Sequence, residues 1–425
     1  MIKKVVLSLL LVFSVQFFAY AQSEEQIELP KISYKNNSIS WHNRNDHLIP
    51  SGAQTEEILL LDQERDFASD DIDADGVVNN IDPSAYDWRE IGYQPFGVLA
   101  FLGWRHDWND NKYSEENLEE AVKLLNEAGI SFVRMDFLWE DVESKKGKFN
   151  FQKYDFIVDL LSKKSIRALG ILDYSTFWSA DAWNNPPKNL DDFAAYVFEI
   201  VSRYKHRIKY WEIWNEPDSP IYWQPQDDMK TYTELLKKSY EAAKKADPTC
   251  KVVLGGMTSE GYYAIKSVYA NGGKDYFDLI NIHPFVDPLN PNEIKKIYTI
   301  YNNLERLKAQ YNDKDKKIWF TEIGCPGVGA DKESKGWWMG QSASEEQQAQ
   351  FLYIIYTDII ELPNLEKVFW AYFRDNNAHF KNDVDYFGLV RWDFSKKPAF
   401  DVLKDRHERW LNLHSYLKLQ KKYGR

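Results

Sequence analysis

Cysteine is nearly missing from this chain: Cys250 and Cys325 are the two in 425 residues. A disulfide framework is therefore excluded as the source of stability. The strand order read below puts them at opposite ends of a barrel, beyond the roughly 7 Å a bridge tolerates, so two free thiols are expected. Excess positive charge is missing too. Lys and Arg number 53 against 65 Asp and Glu, a formal charge of −12. Nucleic acid and anionic membranes both select clustered Lys and Arg, so neither is an expected partner. Beyond residue 21 no apolar run approaches the about 20 residues a membrane-spanning helix needs. What the chain has is a 44% hydrophobic content, enough for a sizeable core, and 16 Trp. Flat amphipathic rings suit sugar faces, although most will be ordinary packing.

The N-terminus reads as a targeting segment. Lys3 and Lys4 precede the apolar "VVLSLLLVFSVQFFAY", and "AYA" at 19–21 is a small-x-small cleavage site. Residues 1–21 are thus a removed signal peptide. No Cys follows the cleavage point, which speaks against a lipid anchor. A secreted or periplasmic product is expected. Residues 22–93 are a polar extension, with a possible hairpin turning at Asn36-Asn37. Within it, "DIDADGVVNNID" (71–82) places Asp71, Asp73, Asp75, Gly76, Asn79 and Asp82 at loop positions 1, 3, 5, 6, 9 and 12. Alternate carboxylates around a Gly turn converge on a hard cation. The loop resembles thrombospondin type 3 calcium loops without their cysteines. One structural Ca²⁺ is expected, held by Asp71, Asp73, Asp75, Asp82, the Val77 carbonyl, and Asn79 directly or through water. The alternative is a solvated acidic linker.

From residue 94 the chain alternates. Eight apolar runs read as strands: "FGVLAFLG" (96–103), "SFVRMDFLW" (131–139), "RALGILDY" (167–174), "KYWEIWNE" (209–216), "KVVLGG" (251–256), "FDLINIHPF" (277–285), "KIWFTEIG" (317–324) and "KVFWAYFR" (367–374). Helical patterns lie between them. In 114–129, Leu118, Ala121, Val122, Leu125 and Ala128 form one face, and Gly129 is placed as a C-cap. In 342–360, Ser344 and Gln347 fit a capping box. Residues 397–413 make the last helix, and 414–425 a basic tail. Strands apolar on both faces imply a parallel sheet covered by helices. Eight such units imply a closed (β/α)8 TIM barrel over 94–413.

Such barrels carry their chemistry at the C-terminal strand ends. Polar residues gather there: Arg134 and Asp136 on strand 2, Asp173 on strand 3, Asn215-Glu216 on strand 4, His283 on strand 6, Glu322 on strand 7, Trp370 and Arg374 on strand 8. A packed core alone would not collect so many. Glu216 and Glu322 come from strands facing each other across the mouth, and paired carboxylates flanking a cleft are the apparatus of glycosidic cleavage. No His-x-His or Cys/His cluster sits at the strand ends, which counts against a catalytic metal; no cofactor is expected for catalysis.

"WEIWNEPD" (211–218) and "WFTEIG" (319–324) resemble clan A of the retaining glycoside hydrolases, and 137–155 is similar to the segment after strand 2 in family 39 and its relatives. The resemblance implies Glu216 as acid/base and Glu322 as nucleophile, with Asn215 on the sugar 2-hydroxyl. It implies that Arg134 holds Glu322 ionised, against a purely structural ion pair, and that Trp370 is a sugar platform, against core packing. Many clan members end strand 6 in His-x-Tyr. Here His283 matches but Phe285 replaces the Tyr, and Tyr372 is a candidate for the missing hydroxyl. His283 is expected behind the reacting groups. Further candidate sugar contacts are Asp173, Trp104, Trp178, Trp183, Trp223 and Trp337-Trp338, with 325–343 as a cleft wall or lid. An oligo- or polysaccharide is the expected partner, with sugar, linkage and oligomeric state open. The competing reading is a carbohydrate-binding barrel without catalysis.

Overall fold

A computed structural model of the protein describes residues 94–104, 115–329, 333, 338–377 and 384–423. The expected signal peptide, the extension, the acidic loop 71–82 with Asp71, Asp73, Asp75, Val77, Asn79 and Asp82, and Trp337 lie outside the described residues.

Eight parallel strands close a barrel: β1 (Phe96–Leu99), β2 (Phe132–Leu138), β3 (Arg167–Asp173), β4 (Tyr210–Asn215), β5 (Lys251–Gly256), β6 (Leu279–Ile282), β7 (Lys317–Ile323) and β8 (Leu365–Ala371). Each pairs with its chain neighbours, and β8 closes on β1. β1 to β7 fall within the runs read from sequence, and β8 begins two residues earlier than read. Helices α1 (Glu115–Glu127), α2 (Gln152–Ser162), α3 (Leu190–Tyr204), α4 (Met229–Ala246), α5 (Tyr262–Ala270), α6 (Pro291–Gln310) and α7 (Glu345–Ile355) connect successive strands, and α8 (Pro398–Tyr423) follows β8.

The helices start and stop for local reasons. α1 buries Leu118, Ala121, Val122 and Leu125, and Gly129 follows it at φ 75°. In α7 the Ser344 hydroxyl accepts from the Gln347 N–H, and the Gln347 side chain accepts from the Ser344 N–H, a complete capping box. α8 runs on through most of the expected tail, because neither Gly nor Pro interrupts it before Gly424. Both cysteines are free and buried. No helix among the described residues is long and apolar enough to cross a membrane.

The inside of the barrel is built in layers by the two-residue period of its strands. Phe132, Leu169, Tyr210, Val253, Leu279, Trp319 and Phe369, one from each of β2 to β8, form a buried apolar layer. β1 contributes Gly97, where a Cβ would lie 2.4 Å from the Phe369 ring. Two residues on along the same strands come Arg134, Glu212, Asn281 and Thr321. Another two give Asp136, Asp173 and His283. An apolar plug thus carries a charged floor, and the floor carries the mouth.

Candidate active site

β4 ends abruptly because its backbone leaves the strand conformation. Trp214 and Glu216 have φ of 68° and 43°, a left-handed region costing non-glycine residues about 1–3 kcal/mol each. The kink breaks the alternation, so neighbouring Asn215 and Glu216 both line one cavity at the barrel mouth. The Glu216 N–H is tied to the Gly256 carbonyl at 2.9 Å, which holds the turn.

Arg134 is the hub of the floor. Its Nη1 donates to Glu322 Oε1 at 2.5 Å, and its Nε and Nη2 donate to the two oxygens of Glu212 at 2.8 Å each. Nη2 also donates to Asn215 Oδ1 at 2.8 Å. That bond takes the amide oxygen and leaves the Asn215 NH₂ to donate. Glu212 is fully buried and also accepts from the Gly256 N–H at 2.9 Å. A fork of five donors facing two carboxylates is fixed in rotation, which a lysine could not achieve.

His283 sits between the two mouth carboxylates. Its Nδ1 lies 2.9 Å from Glu216 Oε1 and 3.8 Å from Glu322 Oε1. Its Nε2 lies 3.0 Å from the Thr321 hydroxyl. Gly256 makes room for the ring: a Cβ there would fall 2.0 Å from Nε2. Burial lowers the His283 imidazole below its usual value, although Glu322 pulls the other way. Burial raises both glutamates. For Glu216, burial and the nearby Asp218 push the carboxyl up to about 8. For Glu322, burial is opposed by His283 and Arg134. The pair is therefore asymmetric: the guanidinium contacts Glu322, and Glu216 is the better holder of a proton.

The cavity measures about 400 Å³, within the about 300–1,000 Å³ range of small-molecule sites. Arg134, Asp136, Asn215, Glu216 and Glu322 form its base. Phe101, Trp104 and Tyr372 stand on the β1–β8 side, and Tyr174, Phe177, Trp183 and Tyr222 on the β3–β4 side. Trp104 Nε1 donates to Asp136 Oδ2 at 2.7 Å. The Tyr174 ring meets Trp183 edge-on at 4.9 Å and lies parallel to Tyr222 at 6.0 Å. Phe177 is 81% exposed at the rim.

Of the residues proposed from sequence, the structure brings Glu216, Glu322, Asn215, Arg134 and Tyr372 to the cavity, with His283 behind Glu216. Trp104 and Trp183 also line it. Five others are corrected. Trp370 is 0% exposed and donates Nε1–H to the Phe387 carbonyl at 3.1 Å. It follows inward-facing Phe369, so alternation turns it outward onto Phe351 of α7. Trp223 is fully buried, edge-on to Trp214 at 5.0 Å. Trp178 packs on Trp139 at 5.1 Å and donates to the Glu143 carbonyl at 2.8 Å. Asp173 is fully buried and does not line the cavity; burial and the neighbouring Asp136 raise its carboxyl well above the usual range. Trp338 packs on Phe387 at 5.3 Å and does not line the cavity. Phe285 also packs on Phe387, at 6.2 Å.

Glu212, Asn281 and Thr321 were not singled out from sequence. Counting by two from the inward residues Tyr210, Leu279 and Trp319 would have found them.

The family model for "Cellulase (glycosyl hydrolase family 5)" matches residues 91–372, more than half of the chain. The chain belongs to glycosyl hydrolase family 5. The clan read from "WNEPD" and "WFTEIG" is borne out, and within it the family model is that of family 5. An endo-1,4-beta-xylanase 2 from Claviceps purpurea is 28% identical over 140 residues, 30% of this chain and 41% of that protein. The match thus spans about two fifths of that relative's length. Among solved structures, a family 39 glycoside hydrolase from Bacteroides cellulosilyticus WH2 superposes with a TM-score of 0.57 at 24% identity, covering 74% of this chain and 63% of that one. A GH5_18 protein from Streptomyces cattleya superposes at 0.59 with 15% identity, covering 74% and 80%. At these identities the two structures speak for the family 5 chain's fold alone.

Proposed function

We propose that this family 5 protein is a secreted retaining β-glycosidase acting on β-linked oligo- or polysaccharides. The observation that carries the reading is the unequal pair at the mouth. Glu322 takes a charge-assisted bond from Arg134, while Glu216 is pushed up to about 8. Two carboxyl groups held in opposite protonation states are what double displacement requires.

Glu322 attacks the anomeric carbon while Glu216 gives its proton to the departing oxygen. Once Glu322 is esterified its negative charge is gone, so Glu216 becomes easier to ionise and takes a proton from the incoming water. Spacing favours retention. Both Oε1 atoms lie within 4 Å of His283 Nδ1, so they are no more than about 7 Å apart, which excludes most of the ~6.5–9.5 Å range of inverting enzymes. Asn215 offers its NH₂ to a sugar hydroxyl, and the cavity aromatics offer ring faces. The N-terminal segment supports secretion, and loop 71–82 supports one structural calcium ion.

A panel of aryl β-glycosides tests the reading. At least one should be hydrolysed, and Glu322→Gln should abolish turnover with the protein still folded. Carbohydrate binding without turnover of any member would favour the non-catalytic barrel.

A further inference from the structure

The hydrogen bonds behind the acid/base carboxyl form a line with only one consistent set of proton positions. It begins at Asn281. The backbone N–H of Thr321 lies 3.3 Å from Asn281 Oδ1, and a backbone N–H can only donate, so the amide oxygen faces Thr321. The Thr321 hydroxyl lies 2.9 Å from the same Oδ1. A carbonyl oxygen can only accept, so the single hydroxyl hydrogen goes there. The hydroxyl then has only lone pairs left for His283 Nε2 at 3.0 Å. Nε2 must therefore carry the ring proton. In the neutral ring Nδ1 is then a bare lone pair, 2.9 Å from Glu216 Oε1.

We propose that Asn281 and Thr321 are positioning residues that lock His283 in its Nε2–H tautomer, so that Nδ1 accepts the proton of Glu216 and opposes its ionisation. This rests on Glu216 being the acid/base of the proposed reaction. The lock works in both halves of the cycle. In the free enzyme the Nδ1 lone pair disfavours a carboxylate at Glu216, so the acid stays loaded. After transfer the same lone pair makes the Glu216 carboxylate a stronger base towards water, and the recovered O–H again points at Nδ1. No proton needs to pass through the ring. The charged and titratable groups facing Glu216 are Asp218 and Glu212 from β4 and the turn after it, Arg134 from β2, and Glu322 from β7. The same four face His283. Asn281 and Thr321 are fully buried and uncharged, so their effect comes through hydrogen-bond direction alone.

Thr321→Val keeps the shape and removes the hydroxyl. The ring is then free to become the Nδ1–H tautomer, which donates to and stabilises the Glu216 carboxylate. The alkaline limb of kcat/KM should move to lower pH by about one unit or more, the size a charge-assisted hydrogen bond commands. Thr321→Ser should restore the wild-type limb. In the wild type, ¹⁵N NMR of the His283 ring, assigned by its loss in His283→Gln, should show Nε2 protonated and Nδ1 bare. An unmoved alkaline limb in folded Thr321→Val, or an Nδ1–H ring in the wild type, would overturn the proposal. If Thr321→Val does not fold, the wild-type spectrum decides alone. The spectrum also separates this proposal from the proposed function: complete inactivity on glycosides would sink the function, while the tautomer would still be read.

Discussion

Arg134 Nη1 stands 2.5 Å from Glu322 Oε1, whereas Glu216 has no Lys or Arg partner among the described residues and meets only the His283 ring. One cation therefore distinguishes two carboxyls of similar burial, as the proposed acid/base and nucleophile roles require. The consequence is a bell-shaped pH dependence of kcat/KM. The acid limb marks Glu322 losing its proton and should lie above the ordinary carboxylate range, because burial raises that group. The alkaline limb marks Glu216 losing its proton, near the value of about 8 to which burial pushes it. Stability follows the same sign. A raised carboxyl binds more protons folded than unfolded, so its contribution is present below the ordinary value of about 4.3 and is lost as pH rises through the folded value. Glu216→Gln should therefore gain stability relative to wild type on going from pH 5 to pH 9, measured by denaturant unfolding. An unchanged difference across that range would contradict the assignment.

Glu212 holds Arg134 in place without touching the cavity. Glu212→Ala takes two of four hydrogen bonds from a buried guanidinium that keeps Glu322 and Asn215, and breaking a buried pair costs up to about 3–5 kcal/mol. Denaturant unfolding should show that loss. In the fraction that folds, kcat should fall with little change in KM, because Arg134 then turns wholly towards Glu322 and blunts it as a nucleophile. A stable, fully active Glu212→Ala would show that Arg134 is held by other means.

The aromatic residues separate into two groups. Trp370 faces α7 and Trp183 faces the cavity, the latter 42% exposed. Trp370→Phe should leave KM unchanged and lower stability by about 1–3 kcal/mol. Trp183→Ala should raise KM severalfold and cost about 1 kcal/mol or less. The opposite pattern in paired kinetics and melting curves would place the sugar platform on β8 after all.

Loop 71–82 should bind one Ca²⁺. Calorimetric titration of the protein should show a single site, abolished in Asp73→Asn/Asp75→Asn, with turnover retained in the variant because the loop supplies no strand-end residue. Equal heats from both proteins would make the segment an acidic linker.

Most of the fold was legible because each strand is a compact apolar run and each helix an amphipathic one. The two catalytic candidates were legible because Asn215-Glu216 and Glu322 interrupt such runs at their ends. What escaped was phase. "KVFWAYFR" does not announce which of Phe369 and Trp370 points inward; the choice depends on closing β8 against β7 and β1. Glu212 looked like one charge inside a strand, and its meaning came only when Arg134 from β2 was set beside it. Trp223 and Trp178 failed for a related reason: a loop tryptophan can face the substrate or prop up the loop, and sequence does not separate the two.

The stereochemistry of the first-formed product tests the mechanism most directly. Proton NMR of an aryl β-glycoside digest, recorded before mutarotation, should show the β-anomer appearing first. Glu322→Gly with added azide should yield the α-glycosyl azide, since the small anion fills the space of the missing carboxylate. An α-anomer as the initial wild-type product would contradict the double displacement and make Glu322 the base that activates water.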